Sequence, residues 1–175
     1  MSPHSIYAML AAYNGWANDR LYDAAERLTH EEFIEDRGLF FRSMMGTLNH
    51  LLATDRIWLR RLRGEGEAPD RLDAVLFPEI EPLRAARLAE DRRLVAYVAG
   101  LDAARLAATI TYSPLTKPGR IEQPVAAVLA HLFNHQTHHR GQAHALLTGF
   151  GRDAPSLDLV LFQRESGLGI GDQPE

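Results

Sequence analysis

His131-Leu-Phe-Asn-His135-Gln-Thr-His138-His139-Arg140-Gly141-Gln142-Ala143-His144 holds five of the chain's eight histidines within fourteen residues. His131, His135 and His139 recur at every fourth position. On an α-helix each step of four turns the side chain by only about 40°. The three imidazoles therefore share one stripe, and adjacent pairs on it can grip one metal ion. His138 stands about 60° from His135, at the stripe's edge, and His144 points to the opposite side. This helix starts near Glu122, with Pro124 in its first turn, where a missing N–H costs little, and ends at Gly149. A helix of that length needs partners to bury its apolar side, and three can be read upstream.

The first runs from about Ser5 to Leu28, where Ile6, Met9, Leu10, Tyr13, Trp16, Ala17, Leu21 and Ala24 follow the three-and-four spacing of a buried stripe. The second spans Ser43 to Leu62, with Leu48, Leu51, Leu52, Ile57, Trp58 and Leu62 on its apolar side. The third extends from Leu83 to Ala99 and is stopped by Gly100. Four long amphipathic helices point to an all-α protein, a four-helix bundle. Smaller features fill the gaps. Thr29 and Glu32 form a capping box on a short turn. Residues 64–82, with Pro69, Pro78 and Pro82, make the one long linker, and Asp102 caps a further turn. Ala108 to Tyr112 alternates with β-branched residues before Pro114, Pro118 and Gly119, which predicts a small strand or hairpin before the last bundle helix. Leu157 to Glu165 fits a short C-terminal helix. Residues 1–166 thus read as a single metal-binding helical domain, and the polar, glycine-rich 167–175 as a loose tail.

The chain has 175 residues, of which 46% are hydrophobic and 24% charged, the balance of an ordinary globular domain. A net charge of −4 argues against a nucleic-acid binder that works by neutralising phosphates. There is no cysteine, so disulfides, thiolate ligands and a thiol nucleophile are all excluded. Any bound metal must be held by nitrogen and oxygen. Without a signal-peptide pattern or a membrane-length apolar run, the expected location is the cytoplasm.

A metal needs more ligands than one helix usually offers, and His50 on the second helix is the candidate partner. Alone among leucines, His50 would be a core histidine bonded to a backbone carbonyl, because an unpaired polar group there costs roughly 1–3 kcal/mol. Beside His135 and His139 the metal reading takes precedence. Other helical metal sites do not fit: a zincin needs His-Glu-x-x-His, and carboxylate-bridged di-iron bundles need Glu-x-x-His on two helices. What remains is a mononuclear three-histidine site with an open position, suited to zinc or nickel, or to iron or manganese. Gln142 returns to the stripe and is the candidate catalytic residue, orienting a bound water or substrate, or else bonding between helices. His131 reads as a supporting or structural residue, Arg140 as the partner of a carboxylate, and Gly141 as a point of close helix approach. Asn134 and His138 flank the face. Arg56, Arg60, Arg61 and Arg63 read as a solvated helix end, and Trp16 and Trp58 as core anchors.

Three stretches together resemble the DinB/YfiT-like family of metal-dependent proteins, which is distinct from the DNA polymerase of the same name. They are Tyr13-Asn14-Gly-Trp16-Ala17-Asn18, Gly46-Thr-Leu-Asn-His50-Leu-Leu-Ala-Thr-Asp55-Arg-Ile-Trp58-Leu, and Pro124 through the Arg140-Gly141-Gln142 tail of the histidine helix. The resemblance implies a four-helix bundle, often homodimeric, with a metal triad that falls on His50, His135 and His139 and takes zinc or nickel. Characterised members of the superfamily include thiol-dependent S-transferases and a thiol-dependent maleylpyruvate isomerase. It therefore implies one divalent metal per chain, a low-molecular-weight thiol and a small electrophilic substrate, in detoxification or stress response. The rivals are metal-activated hydrolysis and a non-catalytic metal-binding stress protein. No nucleic acid and no membrane are expected as partners. Histidine ligands bind metal when neutral, so affinity is expected to weaken as pH falls through about 6.5.

Overall fold

The computed structural model describes residues 2–170. Residues 171–175, most of the expected tail, lie outside the described residues. The chain is mostly helical, with seven helices and one small antiparallel sheet among those residues.

Four long helices make the bundle: α1 (Pro3–Ala25), α3 (Met44–Arg63), α4 (Ile80–Ala99) and α6 (Val125–Gly149). Helix α1 packs on α4 and α6, and α3 packs on the same two, closing a ring. Between α1 and α3 lies the short α2 (His30–Ile34), whose start carries the expected capping box between Thr29 and Glu32. Because an N-cap residue must be extended, Thr29 (φ −67°, ψ 162°) ends the preceding helix early, and residues 26–28 form only tight turns. Asp102 caps α5 (Ala103–Ala107) through a bond from the Arg105 N–H, and α7 (Leu159–Ser166) packs its Phe162 against Tyr13 and Trp16 of α1.

Two boundaries differ from expectation. Helix α4 begins at Ile80, and Pro82 sits inside its first turn. The first N–H groups of a helix have no internal partner, so proline there loses nothing. Helix α6 starts at Val125 and not near Glu122, because Ile121–Pro124 is strand β2 and pairs with β1 (Thr109–Tyr112). Proline disfavours a helical conformation in the residue before it, so Gln123 stays extended and pairs with Ile110. Pro124 becomes the N-cap residue.

The interior has three levels. One apolar cluster includes Leu59, Leu62, Leu94, Val98, Val128, Leu129 and Leu132. A second, at the opposite end, includes Leu21, Met44, Leu48, Leu52, Leu83 and Leu147. Between them lies a polar layer in which Asn14, Asn18, Asp55, Arg87, Asp91, Gln136 and Arg140 are all buried. The contacts of this layer run across all four helices. Arg87 pairs with Asp55 at 2.7 Å and with Asp91 at 3.0 Å. Asn14 and Asn18 donate to Asp91 at 3.1 and 3.0 Å. Arg140 donates to the side-chain oxygens of both asparagines. Its partners are therefore these two amides and the Thr137 hydroxyl, where the sequence predicts a carboxylate. Burying Arg87, Asp55 and Asp91 is tolerable because they pair with one another, while Arg140 is held by neutral acceptors.

Candidate metal centre

The polar layer sets the register of the two helices that carry the histidines. Gln136, wholly buried beside His135, donates to the Leu51 carbonyl at 3.1 Å and to Asp55 at 2.5 Å. Leu51 is next to His50, so this bond ties α6 to α3 at the level of the imidazoles. The result is that His50, His135 and His139 each offer a ring nitrogen within 4.8 Å of the other two. His50 and His135 face each other through their Nε2 atoms at 3.1 Å. Among the described residues no carboxylate joins the group.

Hydrogen bonds outside the cluster fix which nitrogens point inward. The Leu72 carbonyl lies 2.7 Å from Nδ1 of His50, and a carbonyl only accepts, so that nitrogen carries the proton. Nε2 of His50 is then a bare lone pair. At His139 the Gln142 Oε1 accepts from Nδ1 at 2.7 Å and fixes the same tautomer. The linker after α3 thus has a function: it delivers the Leu72 carbonyl to the back of His50. Burial pushes His50 down to about 4, aided by His139 and opposed by the Leu72 carbonyl. His135 falls to about 3, first through burial and then through His139 and His50. His139 is lowered too, mainly by burial. All three are neutral near pH 7, with at least two lone pairs converging.

These residues fit a divalent transition metal. Ligands about 2.1 Å from a tetrahedral ion stand roughly 3.4 Å apart, which the His50–His135 pair approaches at 3.1 Å, and the third nitrogen lies within 4.8 Å of both. Neutral imidazoles are the donor form such an ion requires. Two converging lone pairs repel each other, and a cation between them removes that repulsion.

Phe41 closes one side of the cluster. Its ring stacks on His50 with centroids 3.6 Å apart, and its edge meets His139 at 5.4 Å. The loop that presents it is held by an unusual contact. A Cβ added at Gly46 would fall 2.1 Å from the Phe41 carbonyl oxygen, so only glycine permits this approach. By contrast, nothing lies within 4 Å of a Cβ built on Gly141, which faces solvent and brings no helix close.

The neighbouring residues sort differently from their sequence reading. His131 stays outside the three-nitrogen group: it is exposed and meets the edge of Trp58 at 5.2 Å. Gln142 bonds within its own helix, to His139 and at 3.4 Å to His138, and not between helices. The arginines of α3 are not all a solvated end. Arg56 pairs at 3.6 Å with the buried Glu90, and Arg61 lies 4.6 Å from the ring centroids of both Trp58 and Tyr112. Sequence reading missed Phe41 and the Arg87–Asp91 pair. Gly46 was a usable signal for the first, and two opposite charges four apart on the apolar side of α4 for the second.

A sequence model of the DinB family matches residues 1–173. "Protein DinB" of Bacillus subtilis (strain 168) is 24% identical over 167 residues, covering 87% of this chain and 91% of that protein. A DinB-like protein from Bacillus cereus ATCC 10987, known from a crystal structure, superimposes with a TM-score of 0.64 at 16% identity. That match covers 83% of this chain and 91% of the other, and it establishes likeness of fold.

Proposed function

The chain belongs to the DinB family, and from that premise and its three convergent imidazoles we propose that it is a mononuclear metalloenzyme that transfers a low-molecular-weight thiol to a small electrophile. The observation that carries the reading is the composition of the cluster: three neutral histidines and, among the described residues, no fourth histidine and no carboxylate. Structural sites are usually closed by four protein ligands, whereas catalytic ones keep a position open. Zinc or nickel suits the all-nitrogen donor set. The protein is read as a homodimer serving detoxification or stress response, in the cytoplasm. No helix among the described residues is long and apolar enough to cross a membrane.

His50, His135 and His139 would hold the ion, and the ion would supply the Lewis acidity that favours the thiolate form of a coordinated thiol. The protein's own part is positional. Gln142 and the Leu72 carbonyl keep two imidazoles in the metal-binding tautomer. Phe41 covers His50 and keeps water from that side. In the transfer the thiol proton goes to solvent, sulfur bonds to the electrophilic carbon, and the leaving group departs with the electron pair of the broken bond. The chain's lack of cysteine is consistent with a nucleophile brought by the cosubstrate. Hydrolysis ranks below this, because the cluster presents no carboxylate to act as base for a bound water.

The test is thiol consumption by zinc- and nickel-loaded protein against a panel of electrophiles. Loss of thiol that requires metal and disappears in His135→Ala supports the proposal. Turnover that proceeds equally without any thiol would favour hydrolysis.

A further inference from the structure

Beyond the three histidines, the same face of the α3–α6 pair carries a fixed cation. Aromatic side chains lead to it from the cluster. His135 and His131 lie 5.6 Å apart, His131 meets Trp58 at 5.2 Å, and Trp58 meets Tyr112 at 5.1 Å. Arg61 lies against the last two rings, 4.6 Å from each centroid, and its Nη2 donates to the Ser113 carbonyl at 2.9 Å. That carbonyl is its only hydrogen-bond acceptor among the described residues, and no ion pair there includes it. On the same helix Arg56 pairs with Glu90 and Arg63 with Glu65, while Arg60 is exposed and, like Arg61, has no ion pair among the described residues; Arg61 differs from it in being half-buried and held against two rings. Arg61 is half-buried, and burial lowers its pKa. Its guanidinium and the His131 ring both lie against Trp58, and burial first, then the Arg61 charge, lower the His131 pKa. It lines a cavity of about 380 Å³ together with Arg60, Tyr112, Ser113 and the linker residues Pro69 and Asp70.

A guanidinium held by two rings and one carbonyl, without a carboxylate partner, is a preorganised anion site. Its distance from the histidines follows from helix geometry. Eleven residues separate His50 and Arg61, or ~16 Å along the axis. Both side chains lean toward the N-terminus, so that offset remains, and contacts of 5.6, 5.2 and 4.6 Å through His131 and Trp58 bridge it from the His135 ring to the guanidinium. One extended small molecule can reach both.

We propose that the thiol used at the three-histidine centre carries a carboxylate, and that Arg61 holds it through the aromatic path of His131 and Trp58. This rests on the thiol-transfer reading and specifies its cosubstrate. Arg61 is a specificity-determining residue: it places the chain of the thiol so that sulfur arrives at His50, His135 and His139. Asp70 also lines the cavity and disfavours more highly charged anions.

The experiment uses protein reconstituted with cobalt(II), in which a coordinated thiolate gives a charge-transfer band. Mercaptoacetate, mercaptohexanoate and mercaptooctanoate are titrated beside the neutral mercaptohexanol and mercaptooctanol. The longer acids should bind roughly tenfold or more tightly than the alcohols of equal length, and mercaptoacetate, too short to span the gap, should show no such advantage. Arg61→Met should abolish the preference while leaving metal content and the affinity for the alcohols unchanged. Arg61→Lys should keep part of it. A preference that persists in Arg61→Met, or equal binding of long acids and alcohols, overturns the proposal and leaves the thiol reading intact. Absence of the band with every thiol overturns both.

Discussion

Arg87→Met tests the physical account of the bundle most severely. Arg87 and Asp55 are each only 1% exposed and lie 2.7 Å apart, with Asp91 3.0 Å away on the same guanidinium. Burial lifts the Asp55 carboxyl to about 6 even against the pull of Arg87. At Arg87 burial works against the charge, but Asp91 and Asp55 overcome it and hold the guanidinium above its ordinary range. Methionine fills most of the volume and removes the charge, leaving two buried carboxylates without a cation. Removing one partner of a buried pair costs about 3–5 kcal/mol. The lower end applies here, since Asp91 keeps its donors Asn14 and Asn18 and Asp55 keeps Gln136. For a chain of this size about 3 kcal/mol corresponds to a fall in Tm of roughly 6–12 °C. The loss should also depend on pH. With Arg87 gone, the Asp55 carboxyl loses the pull that opposes its burial and rises further above its unfolded value, so the folded form binds more protons and the deficit shrinks as pH falls from 7 towards 5. Urea denaturation of parent and variant at both pH values measures the difference directly. A deficit under about 1 kcal/mol, or one equal at both pH values, would refute the claim that this layer is held by charge pairing.

Three further outcomes are expected. In metal-free protein, His50 and His135 stay neutral down to about 4 and about 3, below the unfolded value near 6.5. Unfolding then takes up protons, so stability is lost as pH falls from about 6.5 towards 4, and urea midpoints across that range should show it. The same depression means protons compete for the nitrogens only at low pH, so metal affinity should hold to near pH 5. That moves the pH window below the ordinary histidine range expected from the sequence, and competitive chelator titrations at pH 7 and 5 check it. Gln142→Leu should weaken metal binding by roughly 10–100-fold with little change in Tm, because it removes the acceptor that orients His139. Unchanged affinity would show that Gln142 does not position the ligand.

The parts of this molecule that were legible in the sequence are those set by local periodicity. Stripes of apolar residues marked four helices, and a four-residue step placed His135 and His139 on one face. His50 followed because a polar ring among leucines needs a partner. Boundaries governed by competing local rules were less legible. At Ile121–Pro124 the choice between a first helical turn and a strand depended on the partner β1, which lies across a turn. The polar layer was hidden for another reason: Asn14, Asp55, Arg87 and Arg140 come from four different helices, and nothing in one helix shows what its polar residues face. Arg140 appeared to need a carboxylate, but its amide partners are meaningful only once α1 and α6 are side by side. Phe41 and the Leu72 carbonyl belong to loops, where no period points at the site. Gly46 was the one local trace of Phe41, a glycine inside a helix where alanine would otherwise be favoured.

The central claim is that His50, His135 and His139 hold one metal ion and leave a position open. X-ray absorption and elemental analysis of protein purified without a histidine tag, beside the His135→Ala variant, test it most directly. The account predicts about one zinc or nickel ion per chain, bound by imidazole nitrogens and a light oxygen ligand, and loss of tight binding in the variant. Protein that takes up no specific metal after reconstitution at neutral pH, or a variant that still holds one equivalent tightly, would contradict it.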